Sequence, residues 1–436
     1  MRRRFFLGAG SALTLTQSPG RAADQQPALL GGEPVRKKPW PSWPQTAPQD
    51  ETSWLEALRA CKWWRKEGHF VRDFEKAWAT RMGARHCIAT ANGTGALMAS
   101  LHAVDVGPKD EVIVSPYTFI ATINAILAHY ALPVFADTDP DAGLIDAGKI
   151  EALITPRTRC ILPVHLGGNV ADMDRIMEIS KRRGIPVVED ACQAHLSEWR
   201  GRKVSTIGHL GCFSFQKFKN LPGGEAGAVV TGDETLYRRA YGFHSHYRTP
   251  DEGPSDPAGC NGINLRLAEF QASILLNQLT RLEAQAKRRE ENAATLTALL
   301  KDIPGVKPAR MYEGCTRNGY HLYMLRYDPE AFSGLTRTSF LKAARAEGIP
   351  ISAGYGPLNR DSFLENTLNS RPYRAVYTQK EIAHWRERNQ CPANDRLCRD
   401  GMWIPQSALL AARPDMEDIA TAIRKIHKHA GLLKRV

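Results

Sequence analysis

The 436-residue sequence lacks a CxxC pair and an HExxH run, the spacings with which cysteine and histidine commonly surround zinc, so no structural or catalytic metal site is expected. It also lacks GxGxxG and GxxxxGK[ST], which disfavours the common dinucleotide and mononucleotide sites. Its nine cysteines are an odd number, and Cys87, Cys160, Cys192 and Cys212 fall in or beside apolar strand-like runs. They read as small buried hydrophobes and not as a disulfide framework. No internal repeat is visible. The formal charge of +12 comes from basic residues spread along the chain, without a recognition motif or interleaved aromatics, so nucleic acid is not an expected partner.

What is present is ordinary globular material, 43% hydrophobic and 24% charged, enough for one large domain and a smaller one. The N-terminal stretch MRRRFFLGAGSALTLTQSPGRAADQQ has an arginine cluster, a short apolar run and Arg21-Ala22-Ala23. Arg2-Arg3 followed by x-Phe5-Phe6 resembles a twin-arginine export signal, which would place the protein in the periplasm; without it the cytoplasm is expected. The apolar run is too short to span a bilayer, so no stable membrane anchor is expected. The expected layout is a leader over residues 1–25, an extended Pro- and Gly-rich arm over 26–50, a large domain over 51–280 and a small C-terminal α+β domain over 281–436.

From Glu51 to Met82 the pattern is helical, broken by the loop WWRKEGHF. Beyond it, apolar strands such as HCIATA, EVIVSP, LPVFAD, RCILPVHL, IPVVEDA, GCFSFQ and AGAVVTG alternate with helical segments. Strands apolar throughout and separated by helices imply an α/β domain around a mostly parallel sheet, covered on both faces. A long amphipathic helix from Leu267 leads to the small domain, whose last helix is expected to start with Asp415 as its N-cap.

Three features carry chemistry. Asp190 ends the strand IPVVED, where an open parallel sheet places its ligand crevice. Asn92-Gly93-Thr94-Gly95 lies between a strand and a helix, where free N–H groups and the helix dipole favour a phosphate. CFSFQKFKNLPGGEAG holds two lysines, Lys217 and Lys219; in an extended chain their equal parity would put both amines on one face, which leaves them tied. A phosphate cradle, a carboxylate at a strand end and a downstream amine are together the parts that hold pyridoxal 5'-phosphate.

The motifs NGTGAL, SPYTFIAT, PVFADTDP, ILPVHLGGNVADMD, VVEDACQAH, GCFSFQKFKN and GINLRLAEFQASILLNQL resemble those of the DegT/DnrJ/EryC1/StrS aminotransferases, in that family's order and spacing over roughly residues 30 to 430. The resemblance implies fold type I of the pyridoxal-phosphate enzymes. It implies transamination of a keto-sugar or keto-cyclitol with glutamate or glutamine as donor, the cyclitol branch being the nearer. It makes Lys219, five residues after Ser214 and followed by Asn220, the Schiff-base lysine and proton carrier. Asp190 would pair with the pyridinium nitrogen, Gln193 would bond the 3-oxygen, Phe119 would stack on the ring, and Thr94, Gly95 and Ser214 would bind phosphate. Asn264 would cross to a partner's phosphate, which implies a homodimer with a shared site, and His321 aligns with a substrate-side histidine.

The sequence also departs from the family's pattern. GEGG is here Gly224-Glu225-Ala226-Gly227, and if the position of Ala226 requires positive φ the alanine costs about 1 kcal/mol. Two other activities fit parts of the pattern. One is a pyridoxal-phosphate sugar dehydratase, opposed by Lys219, where that enzyme has histidine. The other is an exported cofactor- or sugar-binding protein without catalysis.

Overall fold

The computed structural model describes residues 25–249 and 261–435. Among the described residues, seven strands build the large domain's sheet: β1 (His86–Thr90), β2 (Glu111–Val114), β3 (Leu132–Phe135), β4 (Thr158–Leu162), β5 (Val188–Asp190), β6 (Leu210–Ser214) and β7 (Gly227–Thr231). They run side by side in the order 3-2-4-5-6-7-1, the bridges Ile161 to Val187 and Val164 to Asp190 joining β4 to β5. Of these seven, β7 alone runs against the common direction. Strands β2, β3, β6 and β7 are buried at every position, the signature of a sheet covered on both faces. The apolar runs forecast this.

Helix α1 (Pro48–Ala60) and helix α2 (Phe70–Met82) flank the WWRKEGHF loop. Helix α3 (Gly93–Ala103) follows β1 and is buried almost all round, its small residues Gly95, Ala96, Ala99 and Ser100 letting it lie close to the sheet. Helix α4 (Ile120–Leu127) follows β2. Because the parallel strands end on one side, Asn92, Phe119, Val164 and Asp190 all open onto the same crevice.

Helix α5 (Glu269–Leu300) runs for about 48 Å at 1.5 Å per residue. Its N-terminal half gives Leu275, Leu279 and Leu282 to the large domain's core, and its C-terminal half gives Leu296 and Leu300 to a second core. That second core lies on a four-stranded antiparallel sheet containing Leu322–Tyr327 and Gly401–Pro405, covered by helices Arg337–Ala346 and Asp415–Lys428.

Two local expectations are corrected here. Pro414, not Asp415, occupies the N-cap of the last helix; Asp415 is its first residue and accepts from the Ala412 N–H at 2.9 Å. The arm before α1 borrows its core from the small domain, on which Leu29, Leu30, Val35 and Trp40 pack, and Arg36 donates to Asp415 at 2.9 Å and to Asp418 at 2.7 Å. Residues 358–398 belong to the C-terminal part of the chain but pack on the large domain. Trp385 donates to the Pro133 carbonyl at 2.6 Å, Tyr373 donates to that of Ala131 at 3.1 Å, and Leu364, Tyr377 and Leu397 join the core around Leu132. The reason is strand β3, a sheet edge whose exposed ladder groups need a cover. The expected leader lies outside the described residues, apart from Gln25.

Candidate active site

A cleft of about 530 Å³ opens at the C-terminal ends of the parallel strands. On its floor is Asp190, 3% exposed. One of its oxygens accepts from the Thr122 hydroxyl at 2.8 Å and the other from the Cys192 N–H at 3.1 Å. Thr122 in turn meets the Thr118 hydroxyl at 2.9 Å, so the first turn of α4 aims Thr122 at the carboxylate, with Thr118 just before the helix holding it. A buried carboxylate held by hydrogen bonds in this way keeps a fixed orientation.

The helix terminus lies at one end of the cleft. Asn92 caps α3, its side-chain oxygen accepting from the Gly95 N–H at 2.8 Å, and Gly93 and Thr94 line the cleft at the positive end of the dipole. Two glycines make the approach possible. A Cβ on Gly93 would sit 2.7 Å from the Ser214 Cβ, and one on Gly227 would sit 2.5 Å from the backbone carbonyl of Asn92. The turn therefore packs directly on the ends of β6 and β7, which sets Ser214 beside Thr94. Gly95, expected among the phosphate ligands, gives its N–H to the cap and does not line the cleft.

The lysine pair is separated by a bend that parity could not foresee. After Ser214 the chain leaves the extended form: the Lys217 N–H donates to Gly224, the Lys219 N–H donates to Gln216, both at 2.8 Å, and the Phe215 N–H donates to Ala226 at 2.7 Å. Lys219 lines the cleft with Asp190. Lys217 is exposed, with its amine 4.8 Å from the exposed Phe218 ring. Burial lowers the Lys219 amine below the usual lysine range, and the opposing fields of Cys192 and Asp190 do not restore it.

Gln193 is held at both ends, accepting from the Gly167 N–H and donating to the Tyr355 hydroxyl, each at 3.0 Å. Tyr355 comes from the small domain and packs edge-on to Trp403 at 4.8 Å; burial pushes its hydroxyl up to about 12. Phe119, 52% exposed, forms an open wall 6.4 Å from the Tyr355 ring. His321 lines the cleft and shares a 3.2 Å hydrogen bond between Nδ1 and the Asn220 oxygen. Since the Asn220 nitrogen donates to Gly319 at 2.6 Å, its oxygen is the acceptor and the His321 proton sits on Nδ1. Burial, then Lys219, His195 and Arg289, holds His321 well below the usual histidine range, and so it is neutral.

Asn264 does not reach this cleft: it is exposed, on a bridge to Ser245, and its side chain accepts from the Arg266 N–H at 3.3 Å. Ala226 is not strained. It keeps a negative φ inside the core, and positive φ falls on Gly224, at +89°. Residues that sequence reasoning did not single out, Thr118, Thr122, Gln216, Phe218, Glu225 and Tyr355, also line the cleft. Thr118 and Thr122 were legible as an i, i+4 pair at a helix start; Tyr355 carried no local signal.

The sequence pattern of the DegT/DnrJ/EryC1/StrS aminotransferase family matches residues 46–424. The chain belongs to the DegT/DnrJ/EryC1/StrS aminotransferase family. It is 37% identical over 419 residues to the L-glutamine:2-deoxy-scyllo-inosose aminotransferase of Streptomyces fradiae, covering 92% of this chain and 97% of that one. It is 36% identical over 422 residues to the enzyme of the same name from Streptomyces kanamyceticus, covering 93% and 98%. Among solved structures, 3-amino-5-hydroxybenzoic acid synthase superposes with a TM-score of 0.80 at 32% identity, covering 90% of this chain and 99% of that one. An aminotransferase from Psychrobacter cryohalolentis superposes at 0.77 and 26% identity, covering 88% and 98%. This family member is an aminotransferase of fold type I, and its cofactor is pyridoxal 5'-phosphate. The cleft fits that group: a buried carboxylate, an amine of lowered basicity and a helix N-terminus surround one cavity walled by Phe119.

Proposed function

We propose that this aminotransferase converts a keto-cyclitol of the scyllo-inosose type to its amino-cyclitol, with glutamine as the amino donor. The observation that carries the reading is the joint placement of Lys219, Asp190 and the α3 terminus around one cleft. It is supported by likeness, over more than nine-tenths of the chain, to enzymes named for those two substrates.

Bound there, pyridoxal phosphate supplies the electron sink for the bond broken at the substrate carbon. The chain's own residues do the rest. Asp190, fixed by Thr122 and the Cys192 N–H, would keep the ring nitrogen protonated. Gly93, Thr94 and Ser214 would take the phosphate, Gln193 the 3-oxygen, and Phe119 would cover the ring face. The Lys219 amine would hold the cofactor covalently at rest and, once displaced by the donor, would move the proton at the substrate carbon; its lowered basicity provides the neutral form that both tasks need. His321, neutral with Nε2 as an acceptor, would face a substrate hydroxyl.

Asn264 and the exposed Ile263, with Trp54 and Trp63 packed at a tilt about Phe270, suit a surface buried by a second copy, so a homodimer completed by Asn264 is part of the proposal. Export through Arg2-Arg3 is also part of it. Incubation with α-15N-glutamine and 2-deoxy-scyllo-inosose, read by mass spectrometry, should give a 15N-labelled amino-cyclitol. Label appearing only on a nucleotide-linked keto-sugar offered in parallel would overturn the substrate assignment, and label on neither would overturn both.

A further inference from the structure

The arm before α1 reaches the lysine loop through Trp43. Its indole N–H donates to the carbonyl oxygen of Lys219 at 3.2 Å. The peptide unit on the other side of the Lys219 Cα is also held, because the Lys219 N–H donates to Gln216 at 2.8 Å. Lys219 lies on a bend outside the sheet ladder, so these two bonds, one on each peptide unit flanking its Cα, fix the direction in which its side chain departs. Trp43 is itself fixed. The Arg289 guanidinium lies 5.2 Å from its ring centroid, and Arg289 is clamped by two hydrogen bonds to the Gln406 oxygen, at 2.8 and 2.5 Å. The Gln406 N–H donates to the His321 carbonyl at 3.1 Å. On either side of Trp43 the arm is tied down, by Trp40 donating to Gly348 at 2.8 Å and by Gln278 donating to the Gln45 carbonyl at 2.9 Å.

We propose that Trp43 is a positioning residue for Lys219, holding the lysine peptide so that its amine stays inside the cleft and partly shielded from water. The arm thereby links the small domain to the lysine loop. The inference rests on the reading of Lys219 as the lysine that binds the cofactor.

The test uses Trp43→Phe, which keeps a ring against Arg289 and removes only the N–H. In cofactor-free protein, the pH profile of competitive acetylation is read by mass spectrometry at Lys219, with exposed Lys217 as internal reference. The ionisable groups facing Lys219, namely Asp190, Cys192, His195 and His321, are unchanged. The Lys219 midpoint should rise by about half a unit, toward an ordinary lysine, and that of Lys217 should not move. In the loaded enzyme kcat should fall about three- to tenfold with KM for the donor unchanged. Trp43→His, which retains a ring N–H, should lie between the two. The proposal is overturned if Trp43→Phe leaves the Lys219 profile and kcat as in wild type. It is also overturned if both lysines shift together or KM alone rises, which is general loosening of the arm. Borohydride trapping of the cofactor on Lys217 in the wild-type protein would instead sink the underlying reading of Lys219, and this proposal with it.

Discussion

The departure at GEAG yields the sharpest prediction. Ala226 is fully buried, has negative φ and presents its carbonyl to the Phe215 N–H at 2.7 Å. Restoring the family's glycine by Ala226→Gly removes a buried methyl group worth about 0.8 kcal/mol. It also adds unfolded-chain freedom worth about 0.5–1 kcal/mol. The variant should therefore be less stable by about 1.5 kcal/mol, with no gain in turnover. Gly224→Ala has the opposite origin. Its Cβ would meet nothing within 4 Å, yet φ is +89°, so the cost is backbone strain alone, about 1–2 kcal/mol. Urea unfolding of the cofactor-free proteins reads both, as lower midpoints at unchanged slope. An Ala226→Gly protein as stable as wild type or more so, or faster in turnover, would mean that residue 226 carries the positive φ and that the turn closed by the Phe215–Ala226 and Lys217–Gly224 bonds is wrong.

Other outcomes follow from the same geometry. Gly227→Ala drives a Cβ to 2.5 Å from the Asn92 carbonyl; it should cost about 1–3 kcal/mol and, by displacing the Asn92–Gly93 turn, weaken cofactor binding in a titration, whereas unchanged affinity would detach that turn from the phosphate. Borohydride reduction of the loaded protein followed by peptide mapping should tag Lys219, Lys219→Ala should lose the tag and Lys217→Ala should keep it; the reverse pattern exchanges the two lysines. His195 is pushed down to about 3 by burial and then by Lys219, and its Nε2 faces the Ser214 carbonyl at 2.9 Å. The unfolded chain takes up a proton below pH 6.5 that the folded one refuses until about pH 3, so this group's stability contribution is complete above pH 6.5 and is lost on acidification. His195→Gln should flatten the acid limb of stability against pH by about 1.4 kcal/mol per unit, and an unchanged slope would mean that the imidazole is charged in the native protein.

Much of the site was legible because it obeys local rules. Asp190 follows an apolar strand, and a strand end in a parallel sheet is a crevice position. Asn92 is an N-cap type before a helix of small residues. What stayed hidden depends on bonds made far along the chain. The bend that parts Lys217 from Lys219 is closed by Gly224 and Ala226, so no window around the lysines contains its cause. Residues 358–398 form mostly short helices, but no periodicity says which domain an apolar face will cover. Tyr355, from beyond the small domain's core, meets Gln193 only after the two domains fold together.

The proposed choice of Lys219 over Lys217, made at first by resemblance, is favoured by the balance of forces in the cleft. Desolvation lowers a lysine's basicity and a nearby carboxylate raises it. At Lys219 both act, because Asp190 lines the same cavity, and the net direction is downward: burial outweighs the charge. An amine that is half-buried, open to the cavity and less basic than usual has more of the neutral nucleophile near pH 7, whereas an ordinary exposed lysine is almost wholly protonated there. Exposed Lys217, its amine over the Phe218 ring, has no such environment. The hairpin explains why the spacing from Ser214 matters at all: bonds from Phe215 and Lys217 to Ala226 and Gly224 fix where the chain turns, and the first lysine past that turn is the one delivered to the carboxylate. A one-residue insertion between Ser214 and Lys219 should therefore abolish cofactor attachment even with both lysines present, and retention of the tag on Lys219 in such a variant would show that the turn does not do the selecting.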